Sequence, residues 1–215
     1  MAQRPATMRL AGRCCAPPDA VYDLLSDLRS HLSWGGEEQA SNYRLLSLEA
    51  PDGPASAGTV FVTTGSIPMS RRRWQDRSTV TSALRPLAFA FVTDAKVVGG
   101  PRQMHARYLH NYAITSCGGG STVTYELTQE GIVNPFLRLR IPVIRTITWR
   151  FAAPLFARRG FFNLLRCAES QIAEAAGANP RTGELPLDDA GQTGRPDPAG
   201  ADPHLSYLEV NRNGR

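Results

Sequence analysis

Between residues 42 and 129 the chain passes through six short stretches of alternating apolar and polar residues, each closed by a turn signal. The stretches are 42–49, 59–64, 72–81, 87–93, 104–116 and 121–129. The signals between them are PDGPASAG, GSIP, Leu84-Arg85-Pro86, Gly99-Gly100-Pro101 and the run Cys117-Gly118-Gly119-Gly120. Parallel neighbours would need crossovers of about a dozen residues or more, and these connections are too short for that. The series therefore predicts an antiparallel meander, and Met8 to Cys14 adds a seventh strand.

Helical spacing brackets the strands. Pro17 and Pro18 suit a helix start, Asp19 suits the positive end of its dipole, and Val21, Leu24, Leu25 and Leu28 share one face. A second short helix is expected over Ser30–Trp34, stopped by Gly35-Gly36. After Gly131 the period returns to helical, and Phe151, Leu155, Phe162, Leu165, Ala168 and Ile172 form a stripe that predicts a helix over 148–176, with Gly160 marking a kink or break. Residues 179–215 are rich in Pro, Gly and Asp, with no aromatic before Tyr207. Such a tail cannot offset about 1–2 kcal/mol of backbone entropy per residue and is expected to be disordered. The expected organisation is thus one α+β domain over 1–178 followed by the tail.

Charge and cysteines exclude several classes. The tail holds four arginines against six acids, so the +5 of the whole chain becomes +7 over residues 1–178. Nearly all of it is arginine, with Lys96 the only lysine, and no recognition motif accompanies it, which argues against nucleic acid as a partner. Cys14, Cys15, Cys117 and Cys167 form neither a CxxC pair nor a disulfide framework. The first residues lack a signal-peptide core and no stretch of about 18 apolar residues occurs, so a cytoplasmic protein is expected. His31, His105, His110 and His204 make no HxH or HExxH pattern, there is no GxSxG elbow, and the triple glycine precedes a strand rather than a helix. No metal, cofactor or serine-hydrolase chemistry is expected.

The order strand, helix, short helix, six strands, long helix resembles the START-like superfamily, also called SRPBCC or polyketide cyclase/dehydrase-like. Ala16-Pro17-Pro18-Asp19-Ala20-Val21-Tyr22-Asp23-Leu24-Leu25-Ser26-Asp27, with Trp34 after it, is similar to that family's opening helix. Trp74 to Thr93 is similar to its middle strands, and Gly119-Gly120-Ser121-Thr122-Val123-Thr124-Tyr125 to its late hairpin. The resemblance covers roughly residues 8–176. It implies a helix-grip fold, a seven-stranded curved antiparallel sheet around a long C-terminal helix, with a cavity for lipids, polyketides or other apolar ligands. It implies no single activity. The basic apolar stretch 132–150 is longer than the connection expected there.

Alternation picks the residues that would line such a cavity. Met104, Ala106, Tyr108, His110, Tyr112 and Ile114 share one face of the sixth strand, with His105, Arg107, Asn111 and Thr115 on the other. Leu87, Phe89 and Phe91 on the fifth strand, Val123, Tyr125 and Leu127 on the last, and Trp74 on the fourth should join that face. The candidate ligand-binding set is Trp74, Phe89, Phe91, Tyr108, His110, Tyr112 and Tyr125. His110 either fills the core, hydrogen-bonded to a neighbour, or meets a ligand and works as an acid or base. Asp76 shares a face with Val80; turned inward it would need a partner such as His110, and a hydrated strand end is the more ordinary outcome. Arg71-Arg72-Arg73 reads as a solvated loop edge or an anion contact, and the seven arginines among apolar residues in 132–166 suit either a solvated helix back or peripheral contact with an anionic membrane. Two functions remain: a carrier or binding protein for a hydrophobic small molecule or lipid, and an aromatic polyketide cyclase or dehydratase using Tyr108, His110 or Tyr112 for proton transfer.

Overall fold

In the computed structural model, which describes residues 5–35, 45–66, 72–98, 103–133, 151 and 153–177, the alternating stretches form six consecutive strands of one antiparallel sheet. They are β2 (Leu45–Glu49), β3 (Val60–Ser66), β4 (Arg73–Leu84), β5 (Ala88–Val98), β6 (Met104–Cys117) and β7 (Gly120–Val133). The N-terminal strand β1 (Ala6–Cys14) pairs with β7, giving the spatial order β1-β7-β6-β5-β4-β3-β2. Because β1 and β2 occupy opposite edges, the chain between them must cross the sheet. It does so as α1 (Pro18–Ser26), a 3-10 turn over Leu28–Ser30 and α2 (His31–Gly35). With α3 (Ala153–Gly177) on the same side, this is the helix-grip architecture that the order of segments predicts.

Three register shifts break the ladders: at Leu45/Ser47 in β2, at Val80/Ser82 in β4 and opposite Arg107/Tyr108 in β7. Each inserts a residue on one side of a pair, which bends the strand and raises its local twist. The β6–β7 hairpin is closed by Gly118 and Gly119 at φ +48 and +95, angles that side chains with a Cβ rarely adopt. Gly120 follows for a different reason: a Cβ there would stand 2.2 Å from the Cys14 carbonyl oxygen of the neighbouring strand. Gly120→Ala is expected to cost about 1–3 kcal/mol through overpacking against backbone, read as a lower urea midpoint. An unchanged midpoint would mean that β1 is free to move aside.

The first helix buries the face its sequence spacing offers. α1 turns Val21, Tyr22, Leu24 and Leu25 inward, and on its exposed side Asp19 and Asp23 hold Arg85 of the β4–β5 turn. α3 lies against β1, where a Cβ on Gly12 would come within 2.6 Å of Leu165 Cδ1 and 3.1 Å of Phe161, so only glycine lets the helix sit this close. Two expectations for α3 are corrected. Gly160 does not break it, since the helix runs uninterrupted through it; a mid-helix glycine costs only about 1 kcal/mol, which sheet packing outweighs. The buried stripe is Phe161, Leu164, Leu165 and Ala168, while Phe162 lies at its margin and Phe151 and Ile172 are exposed. The stretch 134–150, most of the basic segment, and the tail 179–215 lie outside the described residues. No helix among the described residues is long and apolar enough to cross a membrane.

Candidate ligand-binding site

Register converts the inward faces of the strands into rungs that cross the sheet. Phe89, Tyr112, Tyr125 and Leu10 make one rung, and Val80, Phe91, His110, Leu127 and Met8 the next. Beyond these come Phe61, Ser78, Thr93, Tyr108 and Gln129, then Thr63, Asp76, Ala95, Ala106 and Ile132. Trp74 and Val97 lie further along the same face. The rungs grade from apolar to polar along the strands.

The first rung is packed. Phe89 is 0% exposed, Tyr112 and Tyr125 are buried, and Tyr125 stacks on Tyr112 at 4.6 Å and on Phe161 of α3 at 6.3 Å. The middle of the face is less closed, since Asp76, Ala95, Tyr108, His110 and Leu127 are only half-buried although all point inward. The seven residues expected to share a face therefore do so, and Leu87 is the exception among their expected neighbours. It is 61% exposed in the turn before β5, because the turn through Arg85-Pro86 delays the strand to Ala88.

His110 stacks on Phe91 with ring centroids 4.3 Å apart and shares a 2.9 Å hydrogen bond between Nδ1 and the Tyr125 hydroxyl. It does not pair with Asp76, as envisaged from the sequence, because Asp76 sits two rungs away. Burial, reinforced by the nearby His31, pulls the His110 imidazole down to about 3, so the ring is neutral near pH 7 and offers a hydrogen bond rather than a proton. Burial likewise raises the Tyr112 and Tyr125 phenols, keeping both protonated.

Two residues, His31 and Asp76, stand differently in the fold from their place in the sequence reading. His31, on α2, is 6% exposed; its Nε2 bonds the Leu25 carbonyl oxygen at 3.0 Å, and its ring touches Trp34, Phe61 and Phe91. Burial lowers it to about 4. The only sequence signal was its place in the short helix before Trp34. Asp76 departs from the hydrated strand end expected of it: Oδ1 is shut off from solvent and finds no hydrogen-bond partner among the described residues, and burial pushes the carboxyl up to about 7. On the adjacent rung the polar groups answer one another. Ser78 and Thr93 hydroxyls are 2.8 Å apart, and Gln129 Nε2 donates to the Tyr108 hydroxyl at 3.2 Å. The Tyr108 phenol is raised by burial, with Asp76 adding to the shift.

Arg73 is exposed at the start of β4 and Arg71 lies outside the described residues. On α3, Arg158 lies over the Phe162 ring at 5.9 Å and Arg166 donates to Asn163.

No family model matches the chain, and no curated protein matches it in sequence. Solved structures do match in fold. An uncharacterized protein from Rhizobium leguminosarum superposes with a TM-score of 0.57 at 12% identity, over 79% of this chain and 97% of its own. Protein CV1439 from Chromobacterium violaceum gives 0.50 at 15% identity, over 76% and 98%. Protein Ms6760 from Mycobacterium smegmatis gives 0.50 at 11% identity, over 80% and 97%. At these identities the likeness concerns architecture alone.

Proposed function

We propose that the protein binds a hydrophobic small molecule or lipid on the inner face of the sheet, between the strands and the helices that cross it. The observation that carries this reading is the incomplete burial of Tyr108, His110 and Leu127 on a face whose next rung is packed to 0% exposure at Phe89. An apolar wall with a few oriented polar tips suits a mostly apolar ligand fixed by a small number of hydrogen bonds. The START-like resemblance of the sequence agrees with it. An aromatic cyclase or dehydratase built on His110 is the weaker reading, because an imidazole held near 3 is a poor base and is scarcely protonated at neutral pH.

Titration with the neutral fluorophore N-phenyl-1-naphthylamine tests this. Saturable enhancement is expected with the wild type, and His110→Ala should shift the midpoint by roughly five- to tenfold, the worth of about 1 kcal/mol or slightly more. Arg107→Ala and Asn111→Ala, on the opposite exposed face, should leave it unchanged. No saturable binding, or an equal response from the outward pair, overturns the proposal.

Peripheral membrane contact through 132–166 belongs to the same reading, as a carrier must exchange its cargo. Binding to vesicles should rise with anionic lipid and weaken with salt, because such attraction is screened over roughly 10 Å. Equal partition to neutral and anionic vesicles would refute it.

A further inference from the structure

We propose that the bound molecule carries a hydrogen-bond-donating head, a hydroxyl or a protonated amine, and that the head seats on Asp76. The inference rests on the binding reading above and narrows its ligand class.

The first ground is position. Asp76 is the second inward residue of β4, on the rung that follows Phe61 and the half-buried Tyr108 and three rungs from the packed row of Phe89. The second is hydrogen bonding. Buried polar atoms nearly always find partners, and the neighbouring rung obeys that rule with its Ser78–Thr93 and Gln129–Tyr108 bonds. Asp76 Oδ1 does not, so this carboxyl has an acceptor site closed to bulk water and left over after the described residues have paired.

The third ground is charge. Among the described residues, the basic groups nearest in register, Arg77, Lys96 and Arg107, all lie on the exposed side of their strands. The inward neighbours Thr63, Ala95 and Ala106 are neutral. A carboxylate-headed ligand would bring a second negative charge to a site that no positive group among the described residues faces, and is disfavoured. A hydroxyl fills the vacant acceptor directly, and an ammonium adds the missing countercharge. Burial holds the carboxyl near 7, so its ionised, purely accepting form is accessible around neutral pH.

The test displaces N-phenyl-1-naphthylamine from the full chain with decan-1-ol, decylamine and decanoic acid, three probes that share a tail and differ in the head. In the wild type the alcohol and the amine should displace at concentrations roughly tenfold below decanoate. Asp76→Asn keeps an amide acceptor without charge, so it should weaken the amine roughly tenfold and leave the alcohol in place. Asp76→Leu should abolish the ranking altogether. Because both changes remove an unpartnered carboxyl, both variants are expected to fold, and near-ultraviolet circular dichroism checks this. Decanoate displacing as well as decan-1-ol in the wild type, or a ranking that survives in both variants, overturns the assignment. If the fluorophore binds and the ranking is flat, the head-group assignment alone fails. If nothing binds, the binding reading fails with it.

Discussion

Lowering the pH from about 6.5 to about 4 is expected to remove roughly 3 kcal/mol of folding stability through His31 alone. In the folded chain the ring is buried, bonded to the Leu25 carbonyl oxygen and surrounded by Trp34, Phe61 and Phe91, and takes no proton until about pH 4. In the unfolded chain it titrates near 6.5. Between those values the unfolded state binds more protons, so the contribution is intact above the unfolded value and is lost as the pH falls through the window. His110 acts in the same direction and its ring, like that of His31, packs on Phe91, so acid would place two positive charges against one buried ring. His31→Gln keeps a donor for the Leu25 oxygen but cannot titrate. Urea unfolding at both pH values should show the variant losing less stability than the wild type, by about the same 3 kcal/mol. Equal losses would mean that His31 is already charged, or already hydrated, in the native state.

The parts of the site legible in the sequence are those that depend on a period of two in an unbroken strand. Tyr108, His110 and Tyr112 share one register on β6, and the shift near them adds its extra residue to β7, so alternation assigns all three to the right face. Alternation cannot say where a strand starts, and for that reason Leu87 reads as inward while the turn through Pro86 holds it outside. On α3 the adjacent Phe161 and Phe162 support two overlapping helical stripes. The choice between them is made by Gly12 of β1, a residue some 150 positions away that admits Phe161 and Leu165. His31 was invisible for a related reason: its importance comes from Phe61, Phe91 and His110, on three other strands. For Asp76, alternation pointed inward while the ordinary cost of burying a carboxylate argued for water. The fold follows the alternation, and the resulting cost is what marks Asp76 as the proposed seat.

That cost gives the second large effect, with the opposite sign to His31. Burial raises the folded Asp76 carboxyl from 3.8 to about 7, so between those values the folded state holds a proton the unfolded state has lost. Stability from this group is therefore greatest below the unfolded value and declines as the pH rises through the folded one, by as much as about 4 kcal/mol in total. Asp76→Asn removes the titration and keeps the shape. At about pH 8 the variant should be more stable than the wild type by a large part of that amount, and near pH 4 the two should converge. Urea midpoints at the two pH values measure it, and a variant less stable than the wild type at pH 8 would show that the native carboxylate already has a charge partner. A donor-headed ligand should narrow the gap, because binding stabilises the folded state by RT ln(1 + [L]/Kd) and the ligand supplies the bond that Oδ1 lacks. Saturating decylamine should thus raise the wild-type midpoint at pH 8 more than that of Asp76→Asn. A residue that weakens the free protein and is repaid only on binding belongs to a ligand site rather than to the core, and the direction of that difference decides which Asp76 is.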